Sequence, residues 1–386
     1  MKKIIKLLVI LFFSVLVACN GGNKKKCPEC KCPPPCPEKV TLPVVKSAVV
    51  ADNVKAYWID FVLDEEGYPY ISYYEANSQS LWFATLDAQG NWVNEKVDDD
   101  GDVGQYSAIG LVNGNPVIAY FDATNGRLKL AYKRSGLWNK IVIDDAPDVG
   151  LWISLAVDKN GMVHIAYIDG ENQDLKYARW DGRNYIVQEV DDGITAAGGG
   201  VLNRQTSIAL DSLGYPHIAY YDGFLGDLRY AYYDPRQGSW VKEVIDDPPE
   251  GDNSPEDLGK WNSIVLDEND NPYIAYSDST NYKVKLAYEV NGQWHREMLM
   301  TEDMCDAYIN VVLLNGKPFI SFFDSTYSDL RLAWKDRGSW HYDIVDSVGI
   351  TGEYSKMRIA PNGSLAFAYR SYTYDQLIYR IVEINQ

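Results

Sequence analysis

Positive charge is scarce in this sequence. Its 386 residues include 36 Lys and Arg against 54 Asp and Glu, which gives a formal net charge of −18. A nucleic-acid binder needs a basic surface to displace counterions, so this balance argues strongly against a nucleic-acid partner. Enzyme motifs are scarce too: there are four histidines, and no Gly-x-Ser-x-Gly elbow, His-Glu-x-x-His pair or phosphate-binding glycine loop occurs. Helical periodicity is also lacking, whereas 29 Tyr and 11 Trp favour strands.

Long apolar runs are missing after the first 18 residues. Residues 4–17 form one such run behind the early lysines, and it is too short for a membrane span of about 20 residues, so it predicts a secretory signal. Residues 16–19, Leu-Val-Ala-Cys, resemble a bacterial lipobox. The resemblance implies cleavage before Cys19, acylation of Cys19 and attachment to the membrane of the cell envelope. Asn20 in place of Asp favours the outer membrane. An ordinary signal peptide or an uncleaved anchor is the alternative.

Cysteine is rare outside residues 20–43, which we predict to be a stalk because prolines alternate there with four cysteines. The four are Cys27, Cys30, Cys32 and Cys36. Oxidation is the default outside the cytoplasm, which favours two disulfides, with a metal site or free or acylated thiols as alternatives. Cys305 has no evident partner, and we predict a lone thiol in a loop.

Seven units of similar sequence follow the stalk. The clearest unit contains Ser-Ile-Ala-Leu-Asp at 207–211, the turn residue Gly214 and His-Ile-Ala-Tyr-Tyr-Asp at 217–222. The turn position recurs about every 50 residues, as expected for propeller blades. It is occupied by Gly67, Gly114, Gly161, Gly214, Asp270, Gly316 and Gly363. Each unit carries four short β-rich segments separated by turns, which predicts one blade of a β-propeller.

The two ends of the repeat array predict how the ring closes. The seventh unit lacks its fourth β-rich segment, and a candidate strand at 44–50 precedes the first unit. This strand ends as far before Trp58 as Asp98 lies before Tyr106. We therefore predict an all-β fold over residues 44–386, a seven-bladed β-propeller of four-stranded antiparallel blades in which the N-terminal strand completes the last blade. Such closure removes an exposed sheet edge. Six or eight blades are the alternatives.

The repeating unit resembles those of bacterial secreted and lipoprotein β-propellers in the broad sialidase-like (BNR-like) group. The residues that carry the resemblance have the form Leu-Asp-x-x-Gly-x-Pro-His-Ile-Ala-Tyr-Tyr-Asp, seen best at 210–222. The resemblance implies the propeller fold, which hosts many activities. The sialidase Asp-box, Ser-x-Asp-x-Gly-x-x-Trp, is missing from every unit, so sialidase activity is not expected.

Two sets of residues recur on one predicted face of the ring, where the loops from strand two to three and from strand four to one lie. Five aspartates end second strands: Asp122, Asp169, Asp222, Asp278 and Asp324. Six aromatic residues enter innermost strands: Trp58, Tyr106, Trp152, Trp261, Tyr308 and Tyr354. We predict a candidate binding face, with the acids attracting a cation such as calcium or a basic partner and the aromatic rings stacking on a ligand. Turn capping by the acids and packing between blades by the aromatics are the alternatives.

Two long connections, 191–205 and 246–261, break the repeat and direct attention to blades four and five. The leading hypothesis is a monomeric, lipid-anchored binding module outside the cytoplasm that binds a protein partner or a glycan through this face. The alternative is a polysaccharide-active hydrolase or lyase that uses carboxylates near the channel mouth. A structural envelope component is a third possibility.

Overall fold

The computed structural model describes residues 44–194, 205–247, 257–299 and 305–384. These residues form 28 strands, and none of them lies in a helix. No helix suited to crossing a membrane occurs in this part of the chain. The predicted signal, lipidated Cys19 and the stalk cysteines lie outside the described residues, as do 195–204 and 248–256 of the two long connections.

The strands follow one another in seven groups. Blade 1 contains β2 Ala56–Leu63, β3 Pro69–Glu75, β4 Ser80–Leu86 and β5 Trp92–Asp98. Blade 2 contains β6 Val103–Val112, β7 Asn115–Asp122, β8 Arg127–Arg134 and β9 Leu137–Asp144. Blade 3 contains β10 Val149–Val157, β11 Val163–Asp169, β12 Asp174–Trp180 and β13 Tyr185–Asp191. Blade 4 contains β14 Thr206–Leu210, β15 Pro216–Asp222, β16 Asp227–Asp234 and β17 Ser239–Asp246.

The remaining groups complete the ring. Blade 5 contains β18 Leu258–Leu266, β19 Pro272–Asp278, β20 Lys283–Val290 and β21 Gln293–Met298. Blade 6 contains β22 Cys305–Leu314, β23 Lys317–Asp324, β24 Asp329–Asp336 and β25 Ser339–Asp346. Blade 7 contains β26 Thr351–Ile359, β27 Leu365–Ser371, β28 Gln376–Val382 and, from the start of the chain, β1 Val44–Asp52.

The predicted fold is confirmed. Each blade is a four-stranded antiparallel sheet in which sequential strands are hydrogen-bonded neighbours. In blade 7, β1 pairs with β28 in register from Val44 opposite Val382 to Asp52 opposite Gln376. The N-terminal strand therefore closes the ring, because it supplies the outermost strand that the seventh repeat lacks.

The recurring turn residue has a local conformational cause. In all seven units the residue at the Gly214 position has a positive φ, between 64° and 90°. Glycine adopts this left-handed conformation without steric cost, and Asp is among the few other residues that tolerate it. This explains why six units carry glycine there and the fifth carries Asp270.

The second strand of each blade lies in the core. In β11 all seven residues, Val163–Asp169, are buried, because neighbouring blades cover both faces of the sheet. A tyrosine in this strand is fully buried in six blades: Tyr73, Tyr120, Tyr167, Tyr220, Tyr276 and Tyr369. A buried hydroxyl needs a hydrogen-bond partner.

At five junctions between blades, that partner is the aspartate that ends the outermost strand of the preceding blade. Between blades 1 and 2, Asp98 accepts hydrogen bonds from Tyr120 at 2.7 Å and from Lys129 at 2.6 Å. The equivalent sets, each a tyrosine and a Lys or Arg of the next blade around one aspartate, are Asp144 with Tyr167 and Lys176, Asp191 with Tyr220 and Arg229, Asp246 with Tyr276 and Lys285, and Asp346 with Tyr369 and Arg380. We call each set a junction cluster. It fixes one blade to the next with a charge-assisted bond.

Two junctions depart from this pattern. Blade 6 carries Phe322 where the others carry tyrosine, and the sequence position that would supply the aspartate is Met300, which lies outside the described residues. This junction thus lacks both the aspartate and the tyrosine hydroxyl that the aspartate would accept from. At the ring-closing junction, Tyr73 donates to the side chain of Asn94 at 2.9 Å, and Asn94 donates to the backbone oxygen of Val50 at 2.8 Å.

One sequence prediction is wrong. Cys305 was expected in a loop, but it is the first residue of β22 and its backbone is paired opposite Asp324. The strand begins early because β22, like most innermost strands, continues through a bulge before its regular pairing.

Candidate functional site

The six predicted aromatic residues come together in one closed ring around the propeller axis. Adjacent ring centroids are 4.5–6.2 Å apart, within the range for favourable aromatic pairs. The order of contact is Trp58, Tyr106, Trp152, Trp261, Tyr308, Tyr354 and back to Trp58. We call this set the aromatic ring.

A backbone bulge aims these side chains at the axis. All six have φ between 47° and 55°, the left-handed region that non-glycine residues rarely adopt. In β6 the pairing register shifts between Gln105 and Ala108, on either side of Tyr106. Gly104 precedes the bulge with φ +108°, and a Cβ there would lie 2.7 Å from the Cα of Leu81. Left-handed backbone at a non-glycine residue costs on the order of 1–3 kcal/mol, and residues in this state cluster at functional sites.

Blade 4 lacks an aromatic residue at this position. Its equivalent residue, Gln205, precedes β14, and its backbone oxygen accepts a hydrogen bond from Asn262 at 2.8 Å. Trp152 and Trp261 meet across the gap with centroids 6.1 Å apart and planes nearly perpendicular. The aromatic ring is thus closed by six members although the propeller has seven blades.

Beyond the aromatic ring, the central channel is lined by serine and aliphatic side chains with one group of charges. Asp60, Lys356 and Arg358 belong to the innermost strands of blades 1 and 7. Arg358 donates from Nη2 to Oδ1 of Asp60 at 2.8 Å. Burial lowers the pKa of Lys356, and the charge of Asp60 opposes that shift. The charges of the channel are therefore concentrated at the ring-closing junction.

The structure places the five predicted aspartates in the interior. All five are buried, and their carboxylates accept backbone N–H groups of the turns that follow. Asp169, for example, accepts from Asn172 at 2.8 Å and Asp222 from Phe224 at 2.9 Å. These bonds give the aspartates a structural task in turn formation. A ligand-binding role for them stays a prediction.

The predicted cation site depends on where the metal-ligating side chains lie in the described ranges. There, no group of three or more His, Cys, Asp or Glu side chains is arranged to hold a metal ion. The aspartates of the junction clusters instead face lysine, arginine and tyrosine side chains.

Sequence reasoning missed a set of exposed apolar side chains on the same face. They lie in the turns between the second and third strands of blades 4 to 7, and their exposed fractions run from 46% to 65%. The set is Phe224, Leu225, Tyr282, Tyr327, Tyr372 and Tyr374. The corresponding turns of blades 1 to 3 carry Asn77, Asn125 and Asn172 instead. Blade 5 keeps asparagine at the matching position, Asn281, so the available signal was the appearance of large apolar residues in the turns of blades 4 to 7. We call the six residues, five of them aromatic and one a leucine, the turn aromatics.

A buried arginine joins the turn aromatics to the aromatic ring. Arg370 is 1% exposed and lies between the rings of Tyr57 and Tyr372, 4.5 and 4.6 Å from their centroids. Glu353, next to Tyr354 in the chain, is 3.5 Å from Arg370. Burial raises the pKa of the Glu353 carboxyl, and the Arg370 charge opposes the shift. This is a carboxylate beside the aromatic ring with a raised pKa.

The four histidines occupy packing positions. His164 and His217 hold equivalent places and contact Tyr177 and Tyr230 through Nδ1, whereas His295 and His341 stack on neighbouring aromatic rings. Each of the four histidines is therefore held against an aromatic neighbour of its own.

Comparison with known proteins supports the fold. No protein-family model matches this sequence, and no curated protein matches it either. Among solved structures, a protein of unknown function from Dyadobacter fermentans is similar at 10% identity with a TM-score of 0.52, over 89% of this chain and 99% of its own. The six-bladed fucose-recognising lectin of Aleuria aurantia is similar at 12% identity with a TM-score of 0.51, over 77% of this chain and 98% of its own.

An enzyme is among the similar structures as well. The polysaccharide lyase Uly1 is similar at 11% identity with a TM-score of 0.51, over 84% of this chain and 89% of its own. At these identities the likeness establishes the β-propeller fold alone, which hosts unrelated functions. Membership of the sialidase-like group stays a prediction.

Proposed function

We propose that this protein is a glycan-binding module of the cell envelope. The observation that carries the proposal is the coincidence, on one face, of the aromatic ring and the turn aromatics. Aromatic side chains offer large apolar surfaces against which the C–H face of a sugar packs, and a tyrosine adds a hydroxyl for hydrogen bonding. The lectin and the lyase among the similar structures are consistent with a glycan ligand.

The turn aromatics give the proposed site a direction. They project from blades 4 to 7, whereas the same turns of blades 1 to 3 are polar, so an extended glycan would lie across one half of the face. Exposed apolar patches on soluble domains commonly mark binding surfaces. The aromatic ring would form the floor beside this half, and Arg370 holds Tyr372 in place from beneath.

A glycan array with the full chain tests the proposal. We expect binding that weakens about tenfold or more in a Tyr327→Ala/Tyr374→Ala variant, since each ring removes stacking area from an exposed site. Leu137→Ala is the matched control, because Leu137 is 72% exposed at the start of β9, on the opposite face. Equal affinity of the three proteins for every glycan would refute a site on the face that carries the aromatic ring and the turn aromatics. Capture of a protein in place of any glycan would favour the protein-partner alternative.

The polysaccharide-active alternative has one specific observation in its favour, which is Glu353. A carboxyl whose pKa is raised by burial holds its proton more readily than an ordinary glutamate, which suits a proton donor. Release of shortened chains from a polysaccharide, lost in Glu353→Gln with binding retained, would replace the binding proposal with an enzyme. Binding without turnover would exclude it.

We also propose that the module is held on the membrane by lipid at Cys19, outside the cytoplasm. The lipobox-like residues 16–19 support this proposal. Metabolic labelling with a palmitate analogue is expected to mark the wild-type protein and not Cys19→Ala. Membrane fractions that retain Cys19→Ala without label would show another anchor.

A further inference from the structure

A separate aromatic cavity lies between blades 3 and 4, on the face opposite the aromatic ring. The turns between strands one and two of both blades border it, together with the third and fourth strands, and its volume is about 160 Å³. Pockets for drug-sized ligands typically span roughly 300–1,000 Å³, so this cavity suits a smaller molecule, of the size of one sugar ring. We call it the blade 3/4 cavity.

Four aromatic side chains form its walls. Trp240 stands at steep angles to Tyr177 and Tyr233, with centroids 5.2 and 5.8 Å away. Tyr215 stacks on Tyr233 at 6.0 Å. The walls therefore present both faces and edges of aromatic rings to the enclosed space.

Two residues that line the cavity, His164 and Trp240, each carry a buried polar atom that has no hydrogen-bond partner among the described residues. His164 is 4% exposed, its Nδ1 lies 2.7 Å from the hydroxyl of Tyr177, and its Nε2 is unpaired. The indole Nε1 of Trp240 is unpaired as well. Burial lowers the pKa of His164 to about 4, so its ring is neutral at pH 7. In either tautomer Nε2 then needs a partner, and a sugar hydroxyl can donate or accept.

Other junctions fill the same place with protein. Between blades 1 and 2, Glu95 pairs with Lys133, whose ammonium lies 5.4 Å from the rings of both Phe83 and Trp138. Between blades 5 and 6, Glu297 pairs with Lys335 at 2.6 Å, and Lys335 lies over Trp340. At blades 3 and 4 the equivalent residues are Gln188 and Tyr233. Both members of the ion pair are thus replaced together, and the space stays open.

At the junction between blades 4 and 5, the tryptophan equivalent to Trp240 has a hydrogen-bond acceptor. There Trp294 donates from Nε1 to Glu243 at 2.9 Å. Gln188 takes the place of that glutamate in the blade 3/4 cavity, and Trp240 Nε1 has no acceptor among the described residues. Nε1 of Trp138 and of Trp340 also lacks one, but at those two junctions the ion pair occupies the space that a ligand would need. Leaving a buried donor without an acceptor is unfavourable, so a ligand oxygen would restore a bond that the neighbouring junction makes internally.

We propose that the blade 3/4 cavity is a second carbohydrate site, which binds one pyranose unit. The sugar packs its C–H face against Tyr233 or Trp240, and its oxygens pair with Nε1 of Trp240 and Nε2 of His164. Arg179, an exposed residue that lines the cavity, adds a donor at the rim. The site is distinct from the face that carries the aromatic ring and the turn aromatics, and it lies on the opposite side of the propeller.

The test titrates the full chain with methyl pyranosides of glucose, galactose, fucose and glucuronic acid at millimolar concentrations. The histidine imidazole signals are followed by NMR, with His164 assigned from a His164→Gln variant. At least one sugar is expected to shift the His164 signal. Trp240→Phe, which removes the N–H and keeps an aromatic ring, is expected to weaken binding about tenfold, the effect of losing one good hydrogen bond.

A Gln188→Glu/Tyr233→Lys variant closes the cavity by introducing the ion pair found between blades 1 and 2 and between blades 5 and 6. Circular dichroism with a melting curve verifies that it folds. In this variant every His164 shift is expected to vanish. The Tyr327→Ala/Tyr374→Ala variant of the opposite face is expected to keep the shift, so the two sites fail separately. Silence of His164 with all four sugars, or an unchanged shift in the closed variant, would overturn the proposal.

Discussion

Two neighbouring blade junctions of the propeller differ in where their ion pairs lie. Between blades 1 and 2 the junction cluster is ionic, with Lys129 and Lys140 both 2.6 Å from the buried Asp98. Between blades 7 and 1 the outer contact is the neutral pair Tyr73 and Asn94, and an ion pair appears instead at the channel, between Arg358 and Asp60.

The difference shows which part of the junction cluster the fold requires. At both junctions the buried tyrosine hydroxyl has a hydrogen-bond acceptor. The acceptor is a charged carboxylate, Asp98, at one junction and a neutral amide, Asn94, at the other. Blade 6 supports the same reading, because it has Phe322 and so no hydroxyl to satisfy. The acid and its cations are one solution to a hydrogen-bonding requirement.

The largest expected effect comes from breaking the ionic junction. Asp98→Ala leaves Lys129, which is 7% exposed, without its close partner at 2.6 Å. Removing one partner of a buried ion pair costs about 3–5 kcal/mol. Urea denaturation of the full chain should show this loss in the free energy of unfolding. A loss below that of Asn94→Ala would contradict the ionic reading.

Acid should weaken the ionic junction between blades 1 and 2. Burial raises the pKa of Asp98, but the bonds from Lys129, Lys140 and Tyr120 outweigh burial and lower it to about 2. Because the folded-state pKa is depressed, the stabilisation is complete above the unfolded value of about 3.9 and is lost as pH falls towards 2. Melting curves across this range should fall more steeply for the wild type than for Asp98→Asn. Parallel curves would show that Asp98 does not titrate there.

A smaller effect is expected at the ring-closing junction. Asn94→Ala removes two neutral hydrogen bonds, to Tyr73 and to the backbone of Val50. Leaving a buried neutral group unsatisfied costs about 1–3 kcal/mol. The same denaturation experiment measures it, and Tyr73→Phe/Asn94→Ala should recover part of the loss, since the hydroxyl is then gone. No recovery would place the cost in packing.

The smallest effect is expected from an exposed pair at the edge of the ionic junction. Lys96 lies 3.4 Å from Asp99, and both side chains are well exposed. Exposed pairs contribute about 0–1 kcal/mol, so Lys96→Ala should leave the free energy of unfolding within that range. A loss as large as that of Asp98→Ala would mean that proximity of charge, without burial, stabilises the junctions.

The comparison also explains what could be predicted from the sequence. Seven repeats, each with its turn residue, predict seven blades, and the spacing of residues 44–50 predicts the closing strand, because both depend on regular intervals along the chain. The recurrence of Trp58 and its equivalents placed the aromatic residues at one radius of the ring for the same reason.

What distinguishes one junction from another could not be predicted in this way. The blade 3/4 cavity depends on Gln188 and Tyr233, which come from different blades and differ from their equivalents together. Likewise, an aspartate such as Asp122 is identical in the sequence whether its carboxylate faces solvent or the turn beside it. The Asp122 carboxylate faces the turn because the backbone N–H of Asn125 lies within hydrogen-bonding distance, and that position is known only from the structure.

The pairing of β1 with β28 has a consequence for the order of folding. Asp52 and Gln376, which bond through their side chains at 3.0 Å, are 324 positions apart. Contacts between such distant residues close a long loop and form slowly. Synthesis from the N-terminus makes β1 first and β28 last, so the earliest strand must wait for the final one, and its unpaired edge is the point at which a nascent chain is most open to misassembly.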